Sequence, residues 1–338
     1  MGNKLPLIFI GGTTASGKSE TAVELALRLG GEVVSCDSAQ VYRHMDIGTA
    51  KIRPEEMRGV PHHLIDVADP RDAMSAARYK EMAVEAINGI CERGRIPVMV
   101  GGTPFYAQGV LYDIDFGNDN GRYLNVTDGS SAHMEDLEGK KDPFFSSEQI
   151  SDTGRAATKS EEDMMNCKEF EKLSPEELYA RLSEVDPDSA KVIHKNNIKR
   201  VIRALEFFYE TGERISEHNR EQRQNESPYD LTYFAIVPER ELIYQRTDRR
   251  VDRMIEEGLE KEVRELIDMG CTADMVSMKA IGYRQMISYI MGECSLEEAV
   301  DEIKKSTRHF AKRQITWLNR EKDAVRVSSG EEILTRYK

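Results

Sequence analysis

A short apolar run, Leu5 to Ile10, leads into Gly12, four further residues, then Gly17, Lys18 and Ser19. The spacing is G-x-x-x-x-G-K-[ST], the pattern of a phosphate-binding loop (P-loop). This constrains the fold tightly. Such a loop works only between a strand and a helix whose first N–H groups point at the anion. The flanking residues comply. Leu5–Ile10 has strand length, and Glu24 and Arg28 are four apart, as on an exposed helix face. The backbone N–H groups of Gly12, Thr13, Thr14, Ala15, Ser16, Gly17, Lys18 and Ser19 would wrap a diphosphate. Lys18 would place a point charge on its oxygens, and the Ser19 hydroxyl would sit on a Mg2+ ion. Alone, the loop implies a ligand that carries a diphosphate and nothing narrower.

A second apolar run, Glu32 to Cys36, ends in Asp37, followed by Ser38, Ala39 and Gln40. Ligand groups of an open α/β sheet are mounted at the carboxyl ends of its strands, so Asp37 is placed to face whatever the loop holds. It could equally cap the next turn. Ser75 to Gly94 repeats apolar residues at helical spacing, with Ser75 as N-cap. Ile96 to Val100 then reads as a third strand, ending in Gly101-Gly102-Thr103, and Thr103 joins Asp37 at the same edge. Strands alternating with helices predict an α/β fold, a doubly wound parallel sheet. An enzyme that splits nucleoside triphosphates usually holds magnesium with an Asp at such a strand end. Gly-Gly-Thr there shifts the reading towards another use of the diphosphate cradle.

Net charge is −13, a mild mark against nucleic acid as a partner. Positive charge is nevertheless concentrated in 195–203, 240–253 and 304–320. No apolar run approaches the ~20 residues of a membrane span. The five cysteines, an odd count with no C-x-x-C pair, suit reduced thiols and argue against a zinc site. A cytoplasmic monomer is expected. His62 and His63 are adjacent, which suits a polar loop better than a shared metal. Lys51 could add charge to the site or be solvated.

From 117 to about 172 Gly, Ser, Asp, Glu and Lys dominate, and the stretch reads as a flexible or partly disordered insertion. The expected division is a core of 1–116 and 190–325, with 117–189 inserted. Ser174-Pro175-Glu176-Glu177 is a capping box that restarts helix. A further helix is read from Pro187 to Gly212, with Ile198, Val201, Ile202, Leu205 and Phe208 as its apolar face and Lys199, Arg200 and Arg203 as a basic one. Leu231–Val237 is a strand. Two Arg-rich helical segments follow, then Lys279 to Arg284 at the start of another helix, where Tyr283 reads more readily as core than as a stacking residue. Ser295 and Glu298 cap a last long helix on which Phe310, Trp317 and Leu318 are expected to be buried. The tail after Arg320 carries no clear signal.

The runs TASGKS, DSAQVYRHMDIGTAK, PHHLIDV and GGT, followed by NNIKRVIRALE, KAIGYRQM and RHFAKRQITWLNR, resemble the tRNA dimethylallyltransferase (tRNA isopentenyltransferase) family over roughly 5–116 and 173–320. The resemblance implies transfer of a dimethylallyl group from dimethylallyl diphosphate to N6 of the adenine 3′ of a tRNA anticodon. In that chemistry Asp37 accepts a proton, Thr103 orients the substrate, and Lys18 and Mg2+ stabilise the departing pyrophosphate. It implies tRNA contacts by Asp37, Ser38, Ala39 and Gln40, by Lys199, Arg200, Val201, Ile202 and Arg203, and by Lys279, Gly282, Tyr283 and Arg284. It gives PHHLID a place in the site wall and makes the inserted segment a helical domain that grips the anticodon arm. An Arg early in that segment would lie near the reacting groups, and neither Arg122 nor Arg155 is assigned the role. A P-loop small-molecule kinase that uses ATP, prenyl transfer to free adenine nucleotides and a non-catalytic nucleotide-binding module stand as alternatives.

Overall fold

The computed structural model describes residues 4–116, 170, 172–222 and 224–337. Arg122, Arg155 and nearly all of the stretch of 117–172 expected to be flexible lie outside them. In chain order the elements are β1 (Pro6–Gly12), α1 (Lys18–Leu29), β2 (Glu32–Cys36), α2 (Pro54–Met57), β3 (His62–His63), α3 (Ala76–Glu92), β4 (Pro97–Gly101) and α4 (Pro104–Leu111). Then come α5 (Pro175–Val185), α6 (Pro187–Val192), α7 (Ile198–Thr211), α8 (Ile215–Gln222), β5 (Asp230–Ile236), α9 (Arg240–Glu256) and α10 (Leu259–Asp268). The chain finishes with α11 (Tyr283–Ile290), α12 (Leu296–Leu318), β6 (Ala324–Val327) and α13 (Gly330–Arg336). They fall into two compact units, one holding the described residues up to 116 together with 227–337, the other those from 170 to 226.

The first unit is built on a parallel six-stranded sheet in the order β3-β2-β4-β1-β5-β6. Alternate residues of each strand cover opposite faces. Leu7 and Phe9 join Val34, Met99 and Tyr233 under α3, α4 and α12. Ile8 and Ile10 join Val33, Val98, Phe234 and Ile236 under Ala22, Val23, Leu25 and Ala26 of α1 and Ile333 of α13. Both faces being buried, the strands read as continuous apolar runs, and each such side chain contributes about 1.5–3 kcal/mol. β4 lies between β1 and β2, with Gly11 and Cys36 both level with Gly101. The loops that leave these three strands therefore start side by side.

Three sequence expectations change here. His62 and His63 form the edge strand β3 where a polar loop was expected. The tail supplies β6, paired with β5 from Tyr233↔Ala324 to Ile236↔Val327, and α13. Four residues of Ala-Val-Arg-Val carried too short an alternation to read. Phe310 is half-buried, although Trp317 and Leu318 are buried as expected.

The second unit packs Phe170, Leu178, Leu182, Ala190, Ile193, Val201, Ala204 and Leu205 together. Because α7 contributes to this core, the chain returns to the sheet at 227 and not at 190. The helix expected from Pro187 to Gly212 is broken into α6 and α7. Asn196-Asn197 favours capping over helix, and the Asn197 side chain accepts the Arg200 N–H at 3.4 Å. Val201 is fully buried, so its side chain is removed from the expected tRNA contacts. Lys199 and Arg200 are exposed, and Ile202 and Arg203 half-buried. Asp186 is buried and caps both α6 and α8. Its carboxylate accepts from the N–H and hydroxyl of Ser189 and of Ser216, at 2.6–3.0 Å. Burial pushes its pKa up, but these hydrogen bonds outweigh that and hold it below the usual value.

No described helix is long and apolar enough to cross a membrane. Cys36, Cys91, Cys271 and Cys294 are free thiols, and Cys167 lies outside the described residues.

Candidate active site

The loop between β1 and α1 is shaped by two left-handed residues, Ala15 (φ 59°) and Gly17 (φ 86°). Gly17 is the N-cap of α1, and only glycine adopts that conformation without strain. The N–H groups of Ala15, Gly17, Lys18 and Ser19 have no protein acceptor among the described residues. The buried hydroxyls Thr13 Oγ1 and Ser16 Oγ also have no partner. Buried polar groups are rarely left so, and an anion's oxygens would satisfy the whole set. Lys18 Nζ curls over the loop to donate to Thr13 O at 3.1 Å. Burial lowers its pKa from 10.5 to about 8, partly opposed by the charge of Asp37 and reinforced by Arg250.

Asp37 and Thr103 meet at the neighbouring strand ends. Asp37 Oδ1 accepts from the N–H of Ala39 (2.9 Å) and Gln40 (3.3 Å), so the capping alternative is realised on one oxygen. Oδ2 has no hydrogen bond among the described residues, which leaves one carboxylate oxygen for chemistry. Thr103 Oγ1 accepts from Ser38 N–H at 3.1 Å and lies 3.4 Å from Ser38 Oγ. Ser38, Ala39 and Gln40 are all half-buried.

Three residues that sequence reasoning did not single out complete the site. Arg250, on α9, is half-buried, and its Nη2 donates to Thr49 O at 2.7 Å. Burial lowers its pKa, opposed by Asp37. It has no carboxylate partner among the described residues, so Arg250 and Lys18 form a pair of desolvated cations beside Asp37. Gln314, 3% exposed on α12, joins the two ligand loops. Its Oε1 accepts from Thr14 N–H and its Nε2 donates to Gly102 O, both at 2.8 Å. A Cβ on Gly102 would stand 2.2 Å from Gln314 Nε2 and 2.8 Å from Gly12 O, which explains why glycine is needed there. Glu262, on α10, holds the segment 46–48. Glu262 and Gln314 are polar residues on otherwise apolar helical stripes, Leu259-Glu262-Val263-Leu266 and Ala311-Gln314-Trp317-Leu318, and Arg250 borders the stripe Ile243-Thr247-Val251-Met254. That was the available signal, since a buried polar group must have partners.

Gln314→Leu should therefore leave Thr14 N–H and Gly102 O unpaired. The expected loss is about 2 kcal/mol, at about 1–3 kcal/mol per orphaned group less some apolar gain. A lower urea midpoint at unchanged slope would report it. An unchanged midpoint would mean that water replaces the amide.

The residues of 279–284 expected at the tRNA take different positions. Tyr283 is fully buried and its hydroxyl donates to Glu262 Oε1 at 2.7 Å, so its ring is core and does not stack on a base. Gly282 (φ 99°) is the N-cap of α11, and Arg284 Nη2 donates to Ser306 Oγ at 3.2 Å. Lys279 is half-buried in the short 3-10 turn Ser277–Lys279. Lys51 is neither a site charge nor solvated. Its Nζ is bound to Tyr42 O, Asp46 Oδ1 and Asp66 Oδ1. The PHHLID run, expected in the site wall, divides between the sheet edge and the site. His62 and His63 pair with Val33 and Val34, and the His63 ring reaches back so that Nε2 lies 2.7 Å from Glu32 Oε2, whereas Asp66 N–H donates to Gln40 O at 3.2 Å. Glu32 also receives Arg93, whose hydrogen bond is the main cause of its lowered pKa.

A family model described as IPP transferase matches residues 40–321. The chain belongs to the IPP transferase family. The matched span holds Thr103, Arg250, Glu262 and Gln314, and the P-loop and Asp37 precede it. A tRNA dimethylallyltransferase of Lachnoclostridium phytofermentans is 44% identical over 96% of this chain and 91% of its own length. A full-length tRNA isopentenylpyrophosphate transferase from Bacillus halodurans superposes with a TM-score of 0.66 at 38% identity, over 99% of this chain and 95% of that one. A eukaryotic dimethylallyltransferase described as acting on tRNA gives a TM-score of 0.73 at 27% identity, over 98% of this chain and 75% of its own. This member of the IPP transferase family thus shares its fold with relatives over almost its whole length.

Proposed function

We propose that this chain transfers a dimethylallyl group from dimethylallyl diphosphate to N6 of the adenine 3′ of the anticodon in tRNA, releasing pyrophosphate. The observation that carries the reading is the pairing of an anion cradle, Gly12–Ser19, with a half-free carboxylate, Asp37, at adjacent strand ends of an IPP transferase family member. The reaction breaks the bond between the donor's first carbon and its diphosphate oxygen and forms a bond from that carbon to N6. One proton must leave N6. An exocyclic amine is a weak nucleophile, so a carboxylate that takes this proton helps. Asp37 Oδ2 is the acceptor, and Thr103, tied to Ser38, orients the amine. Lys18 and Arg250 stabilise the charge that develops on pyrophosphate.

A Mg2+ ion fits this donor set. The Ser19 hydroxyl and phosphate oxygens are hard ligands, and Mg2+ commonly keeps few protein ligands and several waters. When bound, it neutralises diphosphate charge. Among the described residues no cluster of three His, Cys, Asp or Glu offers an alternative site.

Labelled dimethylallyl diphosphate with unmodified tRNA tests the reading, and label should enter the tRNA. Free adenine nucleotides run in parallel should remain unlabelled. ATP turnover without prenyl transfer would favour a kinase, which the Gly101-Gly102-Thr103 strand end argues against.

In the second unit, exposed Lys199 and Arg200 with half-buried Arg203 are proposed to contact tRNA phosphates. Each neutralised phosphate adds about 0.7–0.9 to the slope of log K against log salt. Replacing Lys199 and Arg200 with Ala should flatten that slope by about 1.5. A folded variant with an unchanged slope would show that this face is only solvated.

A further inference from the structure

We propose that Glu262 is a positioning residue for the donor cradle, acting through the loop Met45–Lys51 and the Arg250 guanidinium that this loop holds. Glu262 is 8% exposed on the apolar stripe of α10. A carboxylate at that depth needs donors, and here they come from one loop and one hydroxyl. Oε2 accepts from the N–H of Asp46 (2.8 Å) and Ile47 (2.7 Å). Oε1 accepts from Gly48 N–H (3.0 Å) and from the Tyr283 hydroxyl (2.7 Å). Three successive amides converging on an anion make a nest of the kind used for phosphates, except that the protein supplies the anion itself.

The loop is pinned from its other side by Lys51, whose Nζ donates to Tyr42 O (2.8 Å), Asp46 Oδ1 (2.5 Å) and Asp66 Oδ1 (2.5 Å). Near its ends, His44 (φ 64°) and Ala50 (φ 43°) are left-handed. Non-glycine residues keep that conformation only where their surroundings fix it, and such strain gathers at functional sites. What the fixed loop presents is a pair of carbonyls. Thr49 O accepts from Arg250 Nη2 at 2.7 Å, and Thr49 O and Ala50 O each lie 3.4 Å from Gln40 Nε2. Arg250 has no other hydrogen bond among the described residues, so Thr49 O sets its direction. A shift of the loop therefore moves the second cation of the cradle without touching Lys18. None of the loop's other anchors is a full negative charge on an apolar helical stripe, which is why the role falls to Glu262.

The inference rests on the donor reading above. Its test is a double-mutant cycle read by pyrophosphate affinity in calorimetry, on the full chain. Gln keeps the shape of Glu262 but turns an N–H towards amides that must donate. Glu262→Gln should weaken pyrophosphate about tenfold, as expected when a charge-assisted contact is misaimed. Arg250→Met should weaken it at least as much. If Glu262 acts through Arg250, the double variant should bind within about twofold of Arg250→Met alone. Glu265→Gln, 63% exposed on the same helix, makes the same change in net charge and should leave affinity within about twofold. Losses that multiply in the double variant would overturn the proposal, because the loop would then act without Arg250. Should Glu262→Gln not fold, hydrogen exchange on the unmodified protein decides. Saturating pyrophosphate should slow exchange at Asp46–Gly48, and unchanged exchange would overturn the coupling. Wild-type protein that binds no pyrophosphate would instead remove the donor reading, and this inference with it.

Discussion

Asp37→Asn should slow prenyl transfer about 10²–10⁴-fold in a single turnover, the range usual for loss of general-base help. Pyrophosphate affinity should stay within about threefold, since the cradle's donors are untouched. The structure makes this substitution unusually clean. Oδ1 is already committed to the N–H groups of Ala39 and Gln40. An Asn keeps its carbonyl oxygen there, so its amide nitrogen takes the place of Oδ2. The turn after β2 remains capped, and the one atom able to receive the N6 proton is lost. A role limited to capping therefore predicts near-normal rates for Asn, whereas a base predicts a large loss. Rapid-quench measurement with tRNA and donor pre-bound separates the two. Near-normal single-turnover rates, with tRNA bound as tightly as before, would leave the mechanism without its base.

What the sequence made legible follows from short-range physics. The P-loop is contiguous, and a strand before it and a helix after it are required for it to work. Asp37 and Thr103 were found because they follow apolar runs, and a parallel sheet mounts ligand groups at such ends. β2 and β4 run level, which brings Ser38 N–H within 3.1 Å of Thr103 Oγ1 across 65 positions of chain. Ser174 with Glu177 and Ser295 with Glu298 form the capping boxes their spacing implied.

What was not legible is polar and long-range. Gln314 reaches Thr14 across 300 positions, Glu262 reaches Asp46 across 216, and Arg250 reaches Thr49 across 201. Periodicity marks Gln314 and Glu262 as polar residues at buried helical positions and Arg250 as one beside such a position, but it says nothing of the partner. Val201 shows the converse, and so does Tyr283, whose phase already read as core. They stand inside runs associated with RNA contact, yet the helical face on which each falls turns it into a core. A motif fixes which segment lies near a function, and the helical phase decides which of its side chains can reach it. β6 was missed because four residues beside a sheet edge gain their strand from pairing with β5.

Lys18→Met should lower the single-turnover rate about 10²–10³-fold, the usual cost of removing a group aimed at developing charge. Unlike Asp37→Asn, it should also weaken pyrophosphate, by roughly 10–100-fold for a lost charge-assisted contact. Its pH dependence identifies the ammonium as the cause. Burial, opposed in part by Asp37, places the Lys18 pKa at about 8, against 10.5 for an ordinary lysine. Above pH 8 the ligand-free protein loses this proton, so binding an anion there requires taking it back. Wild-type affinity for pyrophosphate should fall, relative to Lys18→Met, by up to about tenfold per pH unit above 8. The effect on stability has the opposite sense. Between about pH 8 and 10.5 the unfolded chain binds a proton that the folded chain does not. Folding stability therefore rises with pH across that window, and the penalty for burying the cation is fully present below it. Lys18→Met should thus raise the urea midpoint at pH 7, with the gain shrinking towards pH 10. A variant that is more stable and much less active marks a charge kept for its ligand. If the ratio of wild-type to Met affinity stays constant from pH 7 to about 9.5, the proton on Lys18 is not what the diphosphate recognises.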